Sequence, residues 1–203
     1  MPQYSPTTHQ RHSLRLKGYD YSQAGAYFVT ICAYNKEYLF GDIINGVTRM
    51  NEYGKTVREK WLLSSKLRSE IKLDEFVIMP NHFHAIVIIW SIGTNTVGAN
   101  GRSPLRMKPK SLSSLMAGFK SSATSRINGL RNSPGVPVWQ RNYYEHIVRN
   151  EDELNRIREY IINNPLQWQF DRENPRHIPD KAYDDNWGRL EEEIYGKTKK
   201  LLP

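Results

Sequence analysis

Two histidines one residue apart, in His82-Phe83-His84, are the residues whose type and spacing first suggest chemistry. They open an apolar run, and on a strand residues i and i+2 project from one face, so the imidazoles converge while Phe83 turns to the core side. Two neutral imidazoles side by side suit a divalent metal ion. The same pattern also makes hydrogen-bonded or surface pairs, so it decides nothing alone. A second pair is Tyr160 and Asn164, a phenol and an amide oxygen one helical turn apart on one face. The competing reading packs Tyr160 in the core with Ile157 and Ile161, and lets Asn164 end its helix before Pro165. With a basic tract added, these residues form a coherent set: a metal to polarise a phosphate, a nucleophile, and a groove for a polyanion.

The basic tract emerges from where the charge lies. Of the net charge of +8, residues 1–90 supply 11 Lys/Arg against 8 Asp/Glu, residues 91–149 supply 9 against 1, and residues 150–203 supply 9 against 12. The middle third therefore holds an excess equal to that of the whole chain, interleaved with Ser, Thr, Asn and Gly that also bond phosphate oxygens. Arg102, Arg106, Lys108, Lys110, Lys120, Arg126 and Arg141 are its candidate DNA contacts, with Tyr143 and Tyr144 as rings that either stack on bases or fill the core. A solvated basic linker is the bland alternative.

The elements that must position these residues follow from periodicity. Ala26 to Tyr34 is a β-branched and aromatic run, a strand. Residues 41–50 read as a hairpin turning at Asn45-Gly46. Residues 51–68 switch to helical spacing through Val57, Trp61, Leu62 and Leu67, with Asn51 as the cap. Ile71 to Met79 and His82 to Trp90 are two apolar strands separated only by Pro80-Asn81, so they pair antiparallel at the sheet's centre. Residues 91–110 are a Gly/Asn/Ser/Pro-rich loop. A second helix spans 111–128, capped by Ser111 or Ser113 and closed by Gly129. Strand-like pieces lie within 136–148, and a third helix spans 150–163, capped by Asn150 and stopped by Pro165. The order β, hairpin, α, β, β, α, β, α predicts an α+β fold, an RRM-like or ferredoxin-like antiparallel sheet with helices packed on it. The chain divides into a mobile basic arm (1–18), one main domain (19–170) containing the basic loop, and a Trp/Pro-rich C-terminal extension (171–203).

Five segments resemble the REP-associated tyrosine transposases, a branch of the single-tyrosine HUH transposases: residues 18–30, Met79-Pro-Asn-His-Phe-His-Ala-Ile-Val87, Gly118-Phe-Lys-Ser121, residues 138–150, and Arg158-Glu-Tyr-Ile-Ile-Asn-Asn-Pro165. The resemblance spans about residues 14–170. It implies an RRM-like sheet, a metal motif at His82 and His84, and a nucleophilic tyrosine on a late helix at Tyr160. It also implies a third metal ligand at Asn164, where the wider group carries glutamine. The implied activity is that of a metal-dependent single-stranded DNA endonuclease and strand transferase. It would use Mg²⁺ or Mn²⁺ at REP-type hairpins and pass through a 5′-phosphotyrosine link.

Other readings stay open. A non-catalytic RRM-like nucleic-acid-binding module needs only the basic groove and exposed aromatics. A metal hydrolase or oxygenase would want a carboxylate ligand, and none lies in the His82 strand. The single cysteine, Cys32, precludes an internal disulfide, and no apolar run is long enough for a membrane span or signal peptide. A cytoplasmic protein without a membrane partner, monomeric by preference and bound to single-stranded or hairpin DNA, is the expectation.

Overall fold

The computed structural model describes residues 19–90 and 109–195. The arm (1–18), residues 91–108 with Arg102, Arg106 and Lys108, and residues 196–203 lie outside the described residues.

β1 (Gly25–Cys32) is followed by a hairpin of β2 (Gly41–Ile44) and β3 (Val47–Met50). The hairpin turns at Asn45-Gly46 with φ of 51° and 71°, the pair of left-handed residues that a tight two-residue turn requires. α1 (Glu52–Leu67) starts at Asn51, whose side chain accepts the Tyr53 and Gly54 N–H groups. β4 (Ile71–Ile78) and β5 (His82–Ile89) form the predicted antiparallel pair, interrupted by a bulge between Leu73 and Phe76. α2 (Leu112–Leu130) begins with a reciprocal Ser111/Ser114 capping box. It runs past Gly129, because the left-handed position is taken by Asn132 (φ 49°). Between α2 and β6 (Tyr144–Val148), Trp139 makes only an isolated bridge to Ala33. α3 (Glu151–Asn163) is capped by Asn150. After it come α4 (Lys181–Tyr183), a π-helical turn (Asp184–Gly188) and α5 (Arg189–Tyr195).

The main sheet has the order β4-β5-β1-β6, antiparallel throughout, and β2-β3 stands apart. With the hairpin set aside, β1-α1-β4-β5-α2-β6 is the βαββαβ pattern of the ferredoxin-like fold. Helices cover both faces of the sheet. On one face Val57 and Trp61 of α1 and Leu115, Met116 and Phe119 of α2 pack with Val29, Ile31, Phe83 and Ala85. On the other, Leu154, Ile157, Tyr160 and Ile161 of α3 pack with Phe28 and Ile86, and Leu190 and Ile194 of α5 complete that layer. Strand alternation puts Phe83 in the first core and both histidines on the α3 side.

Candidate active site

β5 presents His82 and His84, both fully buried, opposite Cys32 and Thr30 of β1. The two imidazole centroids lie 4.4 Å apart. His82 Nδ1 is 2.8 Å from Asn81 Oδ1, and His84 Nδ1 is 2.8 Å from Thr30 Oγ1. A ring anchored through Nδ1 ligates through Nε2, and its anchoring partner sets its orientation. His82 Nε2 lies 3.6 Å from Asp171 Oδ2. One donor atom from each of His82, His84 and Asp171 falls within 4.8 Å of the others, an arrangement able to hold a metal ion. Asp171 sits in the segment after α3, where its Oδ1 accepts the Glu173 N–H at 2.6 Å. The same segment is tied to the start of β5 by Asn81 Nδ2, which donates to the Glu173 carbonyl at 2.7 Å.

α3 brings Tyr160 to this pair. Its ring lies 5.4 Å from that of His84 and rests edge-on to Phe28 and Trp187. The Tyr160 hydroxyl donates to Glu191 Oε1 at 3.4 Å, and the Tyr183 hydroxyl donates to the same oxygen at 2.7 Å. Arg172 Nε holds the other Glu191 oxygen at 2.6 Å. Burial, and then the Glu191 charge, push the Tyr183 phenol well above its ordinary value, so it stays a hydrogen-bond donor.

Asn164 follows α3 at the next turn and is 1% exposed, with neither side-chain polar atom hydrogen-bonded among the described residues. A buried amide without partners costs free energy, and a nearby cation would satisfy its oxygen. Two imidazoles and a carboxylate within 4.8 Å of one another fit a divalent cation that accepts mixed nitrogen and oxygen donors.

The other expected contacts are more dispersed. Lys110, Arg126 and Arg141 are exposed. Lys120 is half-buried and directs its ammonium to the Gln140 and Arg141 carbonyls at 2.6 and 3.0 Å. Burial lowers its pKa to about 8, and those two carbonyl bonds hold its ammonium on the protein's own backbone. Tyr143 packs partly against the α1/α2 core, whereas Tyr144 is buried on the histidine face, across β1 from His84 through Thr30. Burial pushes the Tyr144 phenol up, with Glu173 and Cys32 adding to the shift. Asp171, Arg172, Tyr183 and Glu191 are the site residues that sequence reasoning passed over. All lie in segments without strand or helix periodicity long enough to point at the site.

A Haemophilus influenzae protein described only as uncharacterized is 40% identical over 178 residues, covering 83% of this chain and 96% of that protein. The chain belongs to its family. No family profile matches the chain. Among solved structures, a REP-associated tyrosine transposase bound to a REP hairpin superposes with a TM-score of 0.51 and 18% identity, over 76% of this chain and 74% of that one. The resemblance read in the sequence and the fold thus agree: this is the fold of the REP-associated tyrosine transposases. No described helix is long and apolar enough to cross a membrane.

Proposed function

We propose that the protein nicks and rejoins single-stranded DNA at hairpin sequences, with Tyr160 as the nucleophile and His82 and His84 as metal ligands. One observation carries the reading: α3 seats a phenol 5.4 Å, ring to ring, from His84, whose ring lies 4.4 Å from that of His82 on a strand distant in sequence. A simple nucleic-acid-binding sheet has no need of that convergence. Mg²⁺ or Mn²⁺, held by His82 and His84 with oxygen from Asp171 or Asn164, would polarise the scissile phosphodiester when bound.

The chain's own groups supply the rest. The Tyr160 oxygen attacks phosphorus, the bond to the 3′ oxygen breaks, and the products are a 5′-phosphotyrosine and a free 3′-hydroxyl that can later reverse the step. The phenol proton has an acceptor in reach in Glu191 Oε1, whose position Arg172 and Tyr183 fix. The exposed Arg126 and Arg141, together with Arg102, Arg106, Lys108 and Lys110, supply cations for the DNA backbone.

The test is a covalent adduct. Incubated with a hairpin carrying single-stranded flanks and Mn²⁺, Tyr160→Phe should bind DNA but form no adduct, while Tyr143→Phe and Tyr144→Phe still form it. A phosphotyrosine mapped by mass spectrometry to residue 143 or 144 would overturn the choice of nucleophile. DNA binding without an adduct in any variant, wild type included, would favour the non-catalytic module.

A further inference from the structure

We infer that Trp168 and Tyr38, flanked by Arg176, form a stacking platform for unpaired bases next to the His82/His84 centre. The inference deepens the DNA-processing reading and rests on it. The Trp168 ring lies 5.9 Å from the His82 ring and 5.6 Å from that of Tyr38, tilted 62° to the latter. The Arg176 guanidinium lies 6.0 Å from the Tyr38 centroid. Tyr38 is 39% exposed, Trp168 half-buried and Arg176 exposed. Open aromatic surface and a cation at the edge of a buried polar centre are a combination that core packing does not call for.

The platform is held in place by one residue. Asn174, 5% exposed, donates through Nδ2 to the Trp168 carbonyl at 2.9 Å, and its Oδ1 accepts the Tyr38 hydroxyl at 2.5 Å and the Arg176 N–H at 2.9 Å. A single buried amide thus fixes the backbone of Trp168, the hydroxyl end of Tyr38 and the chain at Arg176. The segment containing Trp168 and Asn174 also carries Asp171 to His82, so the platform and the metal donors keep one geometry. The buried carboxylate of Glu173, in the same segment, is engaged by Lys36 Nζ at 3.1 Å and by the Cys32 thiol. It therefore presents little unbalanced charge to an approaching phosphate.

The occupant is a single strand rather than a duplex or a protein. Every unpaired base offers a π face, whereas the bases of a duplex are already stacked on each other. A cation beside the rings suits a polyanion. A base seated on Trp168 would set the position of the neighbouring phosphate at His82 and so choose which bond meets Tyr160.

The experiment uses the full chain in EDTA and hairpin oligonucleotides carrying 2-aminopurine at successive positions of each single-stranded flank, with emission quenching as the sign of stacking. Wild type should quench the probe at one or two adjacent positions. Trp168→Ala should abolish that quenching and weaken binding roughly 5- to 100-fold, the range expected for losing one stacked base. Trp168→Phe should restore most of both. Circular dichroism melts of each variant separate this from misfolding, and Tyr38→Leu provides a second, more exposed perturbation. Quenching and affinity unchanged in Trp168→Ala and Tyr38→Leu would overturn the platform and leave the nuclease reading standing. Failure of wild type to bind any of the oligonucleotides would overturn the DNA-processing reading and the platform with it.

Discussion

α3 must be docked firmly on the sheet if Tyr160 is to stay at His84, and the docking has a polar bolt at its first turn. Glu153 and His146 of β6 are both buried, with His146 Nε2 2.8 Å from Glu153 Oε1. The second carboxylate oxygen accepts the Arg149 N–H at 2.7 Å. Replacing His146 by Leu removes one of these two bonds and leaves a buried carboxylate half-satisfied. A hydrogen bond to a charged group contributes about 1.5–3 kcal/mol, and breaking a buried pair outright costs about 3–5 kcal/mol. The surviving Arg149 bond and the added apolar side chain put the expected loss at about 2 kcal/mol. Urea unfolding at neutral pH followed by circular dichroism measures it. A cycle with Glu153→Gln should show a coupling of about 1–2 kcal/mol between the two positions. Burial pushes the Glu153 carboxyl up, but the Arg149 N–H and His146 outweigh it and hold the group below its ordinary value. Its contribution is therefore present above the ordinary glutamate pKa and lost as pH falls through the depressed one. His146→Leu should accordingly flatten the acid limb of the stability curve. A His146→Leu protein within 0.5 kcal/mol of wild type, or an additive cycle, would refute the claim that this pair fastens α3.

Three further outcomes are expected. The bidentate bond from Arg158 of α3 to Asp74 of β4, at 2.9 and 2.7 Å, holds the Asp74 carboxyl below its usual range. Stability drawn from it is present above the ordinary aspartate pKa and disappears as pH falls through the lowered one, so Arg158→Ala should lose stability at pH 7 but much less at pH 2 in thermal melts. In calorimetry or Mn²⁺ electron paramagnetic resonance, His84→Ala should abolish metal binding while leaving DNA affinity nearly intact. Asn81→Ala, which frees the His82 ring, should weaken the metal roughly 10- to 100-fold; equal Mn²⁺ affinity in all three proteins would exclude the histidines as ligands.

What the sequence made legible follows the range over which each feature is encoded. The Asn45-Gly46 turn, the Asn51, Ser111 and Asn150 caps and the shared face of His82 and His84 depend on neighbours within a few residues, and all occur as read. Tyr160 reaches the histidines because the amphipathic pattern of α3 leaves only one face for the sheet, so one periodicity docks the helix and aims the phenol. Lys120 shows where local reading stops: helical spacing puts it near the surface, but the 139–141 segment crosses above it and its carbonyls take the charge. The acids are harder still. Asp171 and Glu191 are placed by contacts between distant segments, through Asn81 reaching Glu173, Asn174 reaching Tyr38, and Arg172 with Tyr183 gripping Glu191. No periodicity marks a carboxylate in such a segment, since its partners come from elsewhere in the chain. The histidine motif alone suggested a metal still lacking its oxygen ligands. The folded C-terminal segment supplies an oxygen donor beside it and, through Glu191, an acceptor for the phenol proton of Tyr160, the proposed nucleophile, which ties the extension to the proposed chemistry.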